Sequence, residues 1–314
     1  MRLGADHVRV RVPATSANLG PGFDAVGLAL DLCDELEVHA LGSAGVRVEV
    51  TGEGAGTLPD DEQHLVISSL RAALDHVGAS QTGLHLVCHN RIPHGRGLGS
   101  SAAAVVAGIV AARGLIAEPE ALSDDVVIDL AASIEGHPDN AAPAVLGGAT
   151  LAWQDGDRFR AIGLGVHPSV IPLAIVPPTH LSTKAARGVL PATVPHADAA
   201  FQAGRAALLV EALGRRPELL LTATQDRLHQ EYRRSVMRDS LALIDVLRAH
   251  GVAAVVSGAG PTVLVLARAV EGGTDADEAI AAAFGGVLGG WQILPLAVRR
   301  SGATVERVGA PSSR

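Results

Sequence analysis

The sequence predicts an α+β protein built as two lobes, on three observations. Nearly all of the first 50 residues read as strands, and helical patterns follow them without strict alternation, which separates the chain from a doubly wound sheet. The 314 residues amount to about two domains at roughly 150 residues each. Prolines cluster between Pro168 and Pro178, where the pattern resets, so we divide the chain nearby into residues 1–165 and 166–314.

The elements follow in order. Val8, Val10 and Val12 alternate with Arg9 and Arg11, the period of a half-buried strand. Pro13 to Asp24 is rich in turn formers and reads as a loop. Val26–Leu32, Glu35–Ala40 and Val46–Val50 read as strands, and Gly52–Asp60 as a loop. Apolar residues recur at helical spacing over His64–Val77, and Leu84, Leu86 and Cys88 alternate as a strand. Ser100–Ala112 is apolar all round, hence a buried helix. Asp124–Ile134 is a helix with Ser123 suited to its N-cap. Val145–Trp153 and Ile171–Val176 suit buried strands. Helical patterns cover Ala197–Leu213, Ser235–His250 and Ala276–Phe284, and strands are expected at Ala253–Val256, Thr262–Leu266 and Gln292–Val298.

Composition narrows the function. Aromatics are 2 % of the chain and the net charge is −8, so neither stacking platforms nor a polyanion-binding field is available for nucleic acid. The chain has one lysine, Lys184, against 24 arginines. Lys184 does not follow a glycine-rich loop, which excludes a G-x-x-x-x-G-K-[ST] phosphate loop. Cys33 and Cys88 form no C-x-x-C pair and no disulfide framework. The N-terminus has no apolar leader core, and the apolar stretches at 97–112 and 251–267 fall short of the ~20 residues a span needs. A cytoplasmic protein with no membrane association is expected.

Four segments carry chemistry. In Pro93-His94-Gly95-Arg96-Gly97-Leu98-Gly99-Ser100-Ser101-Ala102-Ala103, three glycines in five residues let the backbone wrap something small, and the serines open a helix. A helix start offers free N–H donors and partial positive charge, both suited to phosphate, and serine hydroxyls can ligate Mg²⁺. A plain serine-capped turn would use the same residues. Pro13 to Asp24, with Asn18 and Asp24, suits a ligand-contacting loop or an ordinary Asx turn. Ser257-Gly258-Ala259-Gly260-Pro261-Thr262 allows close backbone approach, or simply a tight hairpin. Glu135-Gly136-His137-Pro138-Asp139-Asn140 ends a helix with a carboxylate that either holds Mg²⁺ or is merely solvated.

Together and in this order, P-x-T-x-x-N-L-G-x-G-F-D, P-x-x-x-G-L-G-S-S-A-A and S-G-A-G-P-T resemble the GHMP small-molecule kinases. Within them, Pro13 to Leu30 is similar to the homoserine kinase family, whereas a galactokinase would carry Gly-Glu-His after the Asn-Leu. Glu135–Ala144, Ser182–Arg187 and Asp226–Arg233 are similar as well, so the resemblance spans residues 8 to about 266. It implies an N-terminal lobe like ribosomal protein S5 domain 2 and a ferredoxin-like C-terminal lobe. ATP would lie with its phosphates on residues 93–103 and its adenine near Thr57–His64. The implied reaction is MgATP-dependent phosphorylation of the L-homoserine side-chain hydroxyl, in threonine biosynthesis. A homodimer is an expectation of the resemblance alone.

Under that resemblance, Asp24 with Asn18 would hold the substrate ammonium. Arginine suits the carboxylate, with Arg187 and Arg233 preferred and Arg234 the adjacent ambiguity. His137, Asp139 and Asn140 would border the reacting hydroxyl, with Ser257 and Gly258 beside the substrate. Ser100 and Glu135 would hold Mg²⁺. Phosphoryl transfer asks mainly for positioning and charge stabilisation, so direct attack without a protein base is favoured, with Asp139 the group to test. Lys184 is expected to supply charge near the substrate. The rival readings are a GHMP kinase for another alcohol, of the mevalonate or shikimate type, and a non-catalytic ligand sensor on the same fold.

Overall fold

In the computed structural model, which describes residues 1–309, the Val8–Val12 alternation opens β1 (His7–Asn18). Val8, Val10 and Val12 are fully buried while Arg9 and Arg11 face solvent. β1 pairs antiparallel with β2 (Gly22–Leu41), with a register shift at Pro13/Ala14. Two expectations change here. The segment from Pro13 is not a loop, because its small residues Ala14–Ala17 fit inside the sheet opposite Leu30–Gly27 and the chain reverses only at residues 19–21. The two strands expected over 26–40 are one 20-residue strand. Thr15 and Ser16 are tolerated at zero exposure because both are hydrogen-bonded, Thr15 Oγ1 donating to Asn140 Oδ1 at 2.8 Å and Ser16 Oγ pairing with Ser257 Oγ at 2.8 Å.

The first lobe continues through β3 (Val46–Gly52), α1 (Leu65–His76), β4 (Gly83–Asn90), α2 (Ser100–Leu115), α3 (Asp124–Glu135), α4 (Ala141–Leu146), β5 (Ala149–Asp155) and β6 (Arg158–Leu164). Its sheet runs β3-β4-β2-β1, with β3 parallel to β4, β5 on the upper half of β2 and β6 on β5. α2 lies at the centre of the core. Val105, Val106, Ile109, Val110 and Leu115 are fully buried, each contributing roughly 1.5–3 kcal/mol by removal from water. Gly108 lets α1 approach, since a Cβ there would stand 2.3 Å from the Val66 carbonyl oxygen. Ser123 takes the N-cap position of α3 without a side-chain capping bond. The strand expected from Val145 begins only at Ala149, because Ala141–Leu146, rich in alanine, closes a helical turn first. β6, not anticipated, follows a tight turn through Asp155-Gly156-Asp157.

The second lobe comprises β7 (Val170–Val176), α5 (Thr183–Gly188), α6 (His196–Gly214), α7 (Leu220–Ala223), α8 (Arg238–Ala249), β8 (Ala254–Val256), β9 (Val263–Val270), β10 (Gly273–Thr274), α9 (Asp277–Phe284) and β11 (Gln292–Pro295). Its five-stranded sheet runs β10-β9-β7-β11, with β8 also on β9. The chain then returns: β12 (Thr304–Arg307) joins the first sheet beside β1, with Val8 opposite Arg307. Leu209, Ala212 and Leu213 of α6 also pack into the first core. A division at residue 165 therefore assigns to the second part segments that pack on the first. Among the described residues, no helix is long and apolar enough to cross a membrane.

Candidate active site

The three glycine-bearing segments are far apart in sequence and interlock in space. The Thr15 N–H donates to Leu98 O at 3.0 Å, and Thr262 N–H to Arg96 O at 3.2 Å. Gly258 N–H donates to Ala17 O at 3.0 Å, and Ser257 Oγ to Gly97 O at 2.6 Å. Loops from both lobes thus hold the turn that feeds α2. Gly99 sits at the N-cap of α2 with φ +70, and a Cβ there would stand 2.0 Å from Thr15 Oγ1. The turn needs glycine both for its left-handed backbone and for that approach.

Two cavities meet at this turn and share Gly95, Ser100 and Ser101. The first, about 320 Å³, is largely apolar and bounded by Val12, Leu36, Leu58, Pro59, Val66 and Ala104, with Asn90 and Gln63 at its wall. His64 lines it at 4 % exposure, and neither ring nitrogen has a hydrogen-bond partner. Burial lowers the His64 pKa and favours the neutral ring. Burial likewise pushes the Cys88 thiol up to about 12 and raises the pKa of the Asp34 carboxyl, although Arg91 and Ile92 N–H groups donate to it.

The second cavity, about 140 Å³, is polar. Glu135 reaches it from the C-terminus of α3, where its Oε1 accepts from Ser101 Oγ at 2.6 Å. His137 Nδ1 lies 2.7 Å from Asp139 Oδ1, and Asp139 is 2 % exposed. That hydrogen bond raises the His137 pKa against the opposing effect of burial. Asn140 turns its Oδ1 to Thr15. Asn18 donates its amide to Gly258 O at 2.9 Å and accepts from Asp24 N–H at 3.0 Å. Across the cavity, Arg187 of α5 grips Asp24 through two bonds of 2.5 and 3.1 Å. The bond to Asp24, above all, raises the Arg187 pKa.

Of the residues singled out in the sequence, Asn18, Gly95, Gly97, Gly99, Ser100, Ser101, Ala102, Glu135, His137, Asp139, Asn140, Arg187, Arg233 and Gly258 line the polar cavity. Several of the anticipated residues lie elsewhere or are bonded to partners other than those expected. Asp24 and Arg187, assigned to opposite ends of a substrate, are bonded to each other. Ser257 is fully buried and its hydroxyl ties the loops together instead of facing the cavity. Leu98 and Ala103 are fully buried in the first core, and Pro93 is buried as well. Arg96 turns outward to Pro178 O and His180. Ser101, not Ser100, bonds Glu135. Arg233, 1 % exposed, donates to Ala186 O and Gly258 O and contacts His229; burial lowers its pKa to about 10. Arg234 pairs outside with Glu231 and Asp245. Lys184 is exposed, whereas its neighbours Ser182 and Thr183, which the sequence placed in a family-like segment without assigning them to the site, line the cavity.

A polar cavity on a helix start, joined to an apolar one across a glycine turn, accommodates a nucleotide and a small polar acceptor together. The model for the GHMP kinases N-terminal domain matches residues 64–148, and that for the GHMP kinases C-terminal domain residues 199–285. Fold and site thus define an ATP-dependent small-molecule kinase of the GHMP class. The homoserine kinase of Streptomyces coelicolor is 55 % identical over 299 residues, covering 95 % of this chain and 94 % of that protein. That of Cutibacterium acnes is 56 % identical over 261 residues, covering 82 % and 88 %. The crystal structure of homoserine kinase from Cytophaga hutchinsonii superposes with a TM-score of 0.84 at 28 % identity, covering 96 % of this chain and 98 % of that one. The chain belongs to the homoserine kinase family. The L. major mevalonate kinase in complex with R-mevalonate, at 16 % identity and a TM-score of 0.64, covering 95 % of this chain and 97 % of that one, shares the fold alone.

Proposed function

We propose that the protein transfers the γ-phosphoryl group of ATP to the side-chain hydroxyl of L-homoserine, the step that leads toward threonine. The observation that carries this reading is the junction of the two cavities at Gly95, Ser100 and Ser101, which sets an apolar base pocket and a charged acceptor pocket on either side of one phosphate-sized turn. In it, adenine occupies the apolar cavity beside His64. The phosphates rest on the amides of residues 97–103, where the α2 dipole spreads the transferring charge.

The acceptor is a zwitterion. The Asp24–Arg187 pair offers a carboxylate for its ammonium and a guanidinium for its carboxylate, so binding exchanges one internal ion pair for two to substrate. Phe23, with the Arg187 guanidinium 5.5 Å from its ring centroid, backs the pair. Arg233 acts behind the site by fixing Gly258. Asp139 orients His137, and Thr15 orients Asn140, so the hydroxyl is positioned for direct attack without a protein base.

Ser100, Ser101 and Glu135 present hydroxyl and carboxylate oxygens at the polar cavity, a donor set that fits Mg²⁺. The ion would neutralise charge on the β- and γ-phosphates. A cytoplasmic location and a homodimer belong to the same reading. The test is an ADP-release assay over a panel of small alcohols that includes L-homoserine, mevalonate and shikimate. Turnover on homoserine is expected; turnover only on another alcohol would leave the kinase class standing and remove this substrate.

A further inference from the structure

The solvent-facing side of the first sheet carries imidazoles in cross-strand register. His7 on β1 stands opposite His39 on β2, and His39 opposite His85 on β4. The His7 and His39 rings stack with centroids 3.8 Å apart and planes 20° apart, and His39 and His85 with centroids 5.6 Å apart. Glu37 lies two residues before His39, on the same face of β2. Its Oε2 is 3.1 Å from His7 Nε2 and 3.9 Å from His39 Nε2. Its Oε1 accepts from Arg9 Nε and Nη2 at 3.1 and 2.8 Å. A guanidinium therefore fixes the carboxylate and leaves its second oxygen between two imidazole nitrogens.

We propose that His7, Glu37 and His39 form a surface site for a borderline divalent transition metal of the zinc type. The three ligand atoms lie within 4.8 Å of one another. Bonds of about 2.0–2.1 Å in a tetrahedron set ligand atoms roughly 3.3–3.4 Å apart, and the observed 3.1 and 3.9 Å bracket that edge. Two imidazoles and one carboxylate select such an ion over Mg²⁺ or Ca²⁺, which take oxygen ligands. The side chains of His7, Glu37 and His39 are 21, 34 and 35 % exposed, so a water can complete the coordination. His85 flanks the site without joining it, since its Nε2 is engaged by Glu49 at 2.9 Å. The site faces solvent, whereas Val12 and Leu36, which bound the apolar kinase cavity, point to the opposite, buried face of the same strands, so the sheet itself separates the two.

The test is calorimetric titration of the full-length protein with Zn²⁺ in excess Mg²⁺. Wild type should bind one saturable equivalent. His7→Ala and His39→Ala should each weaken it by more than the roughly 10–100-fold typical of groups that only orient a ligand. His137→Ala, which alters the histidine–carboxylate pair of the polar kinase cavity, should bind as wild type does, and turnover with MgATP should be unchanged in the two surface variants. Glu37→Gln keeps the side-chain volume and gives the same readout should an alanine variant fail to fold. Absence of saturable binding in wild type, wild-type affinity in the surface variants, or loss confined to His137→Ala would each overturn the assignment.

Discussion

Gly99→Ala is the most direct probe of the phosphate-binding turn. The residue has φ +70, and a side chain with a Cβ pays about 1–2 kcal/mol for left-handed backbone. The new methyl would also stand 2.0 Å from Thr15 Oγ1. Thr15 is fully buried, so relief requires turning its hydroxyl away from Asn140, at a further cost of about 1 kcal/mol for the lost hydrogen bond. The total of about 2–3 kcal/mol, felt where the phosphates must be held, corresponds to a loss of roughly 30- to 150-fold in kcat/KM for ATP. Steady-state ADP release on Gly99→Ala, Thr15→Ala and the double variant closes a cycle. Thr15→Ala removes the oxygen that clashes and the same hydrogen bond, so the double variant should be no worse than Gly99→Ala alone, a coupling of about 1 kcal/mol. Retention of kcat/KM within about threefold of wild type, or strict additivity in the cycle, would refute the steric reasoning.

Three further variants test individual residues. Asp24→Asn should raise KM for homoserine far more than KM for ATP, while stability changes by less than about 1 kcal/mol because the pair is a third exposed; equal effects on both substrates would remove its role at the ammonium. Glu135→Gln should lower turnover and raise the Mg²⁺ requirement, and full activity at limiting Mg²⁺ would show that Glu135 is no ligand. Asp139→Asn tests two things at once. The folded His137 pKa is raised above its unfolded value, so the stability from the pair is complete below that ordinary value and fades as pH rises through the raised one. Thermal melts from pH 5.5 to 9 should show this decline in wild type and a flatter profile in Asp139→Asn. A collapse of its activity by many orders of magnitude, with the fold intact, would instead make Asp139 a general base.

Much of the candidate site is legible in the chain because the residues that build its turn are local. The glycines at 95, 97 and 99, the serines that follow and the helix they open lie within a dozen residues, and backbone conformation ties them to phosphate-type chemistry directly. The helices over 64–77, 100–112 and 197–213 were legible for a similar reason, since their apolar spacing or continuous apolar face is written in consecutive turns. The strand elements beyond clear alternation were harder. Ala14–Ala17 looks like loop by composition, and its strand pairing depends on the Gly27–Leu30 segment across the turn. β12 is four residues long and gains its place only from the edge of β1.

The sequence by itself determined which chemical groups are present and which backbone turns are allowed: a glycine cradle at a helix start, a carboxylate at Glu135, paired donors and acceptors around Asn18, and arginine in place of lysine. Only the tertiary structure decided how those groups are spent. Ser100 and Ser101 are adjacent, yet successive helix residues point about 100° apart, and the position of α3 selects Ser101 for Glu135. Arg233 and Arg234 are equivalent in the sequence, and packing buries the first beneath Gly258 while leaving the second among surface carboxylates. Asp24 and Arg187 are 163 positions apart and meet because the second lobe folds back over β1 and β2. Pairing across such distances is set by how lobes dock, a sum of many contacts that no local pattern of residues encodes.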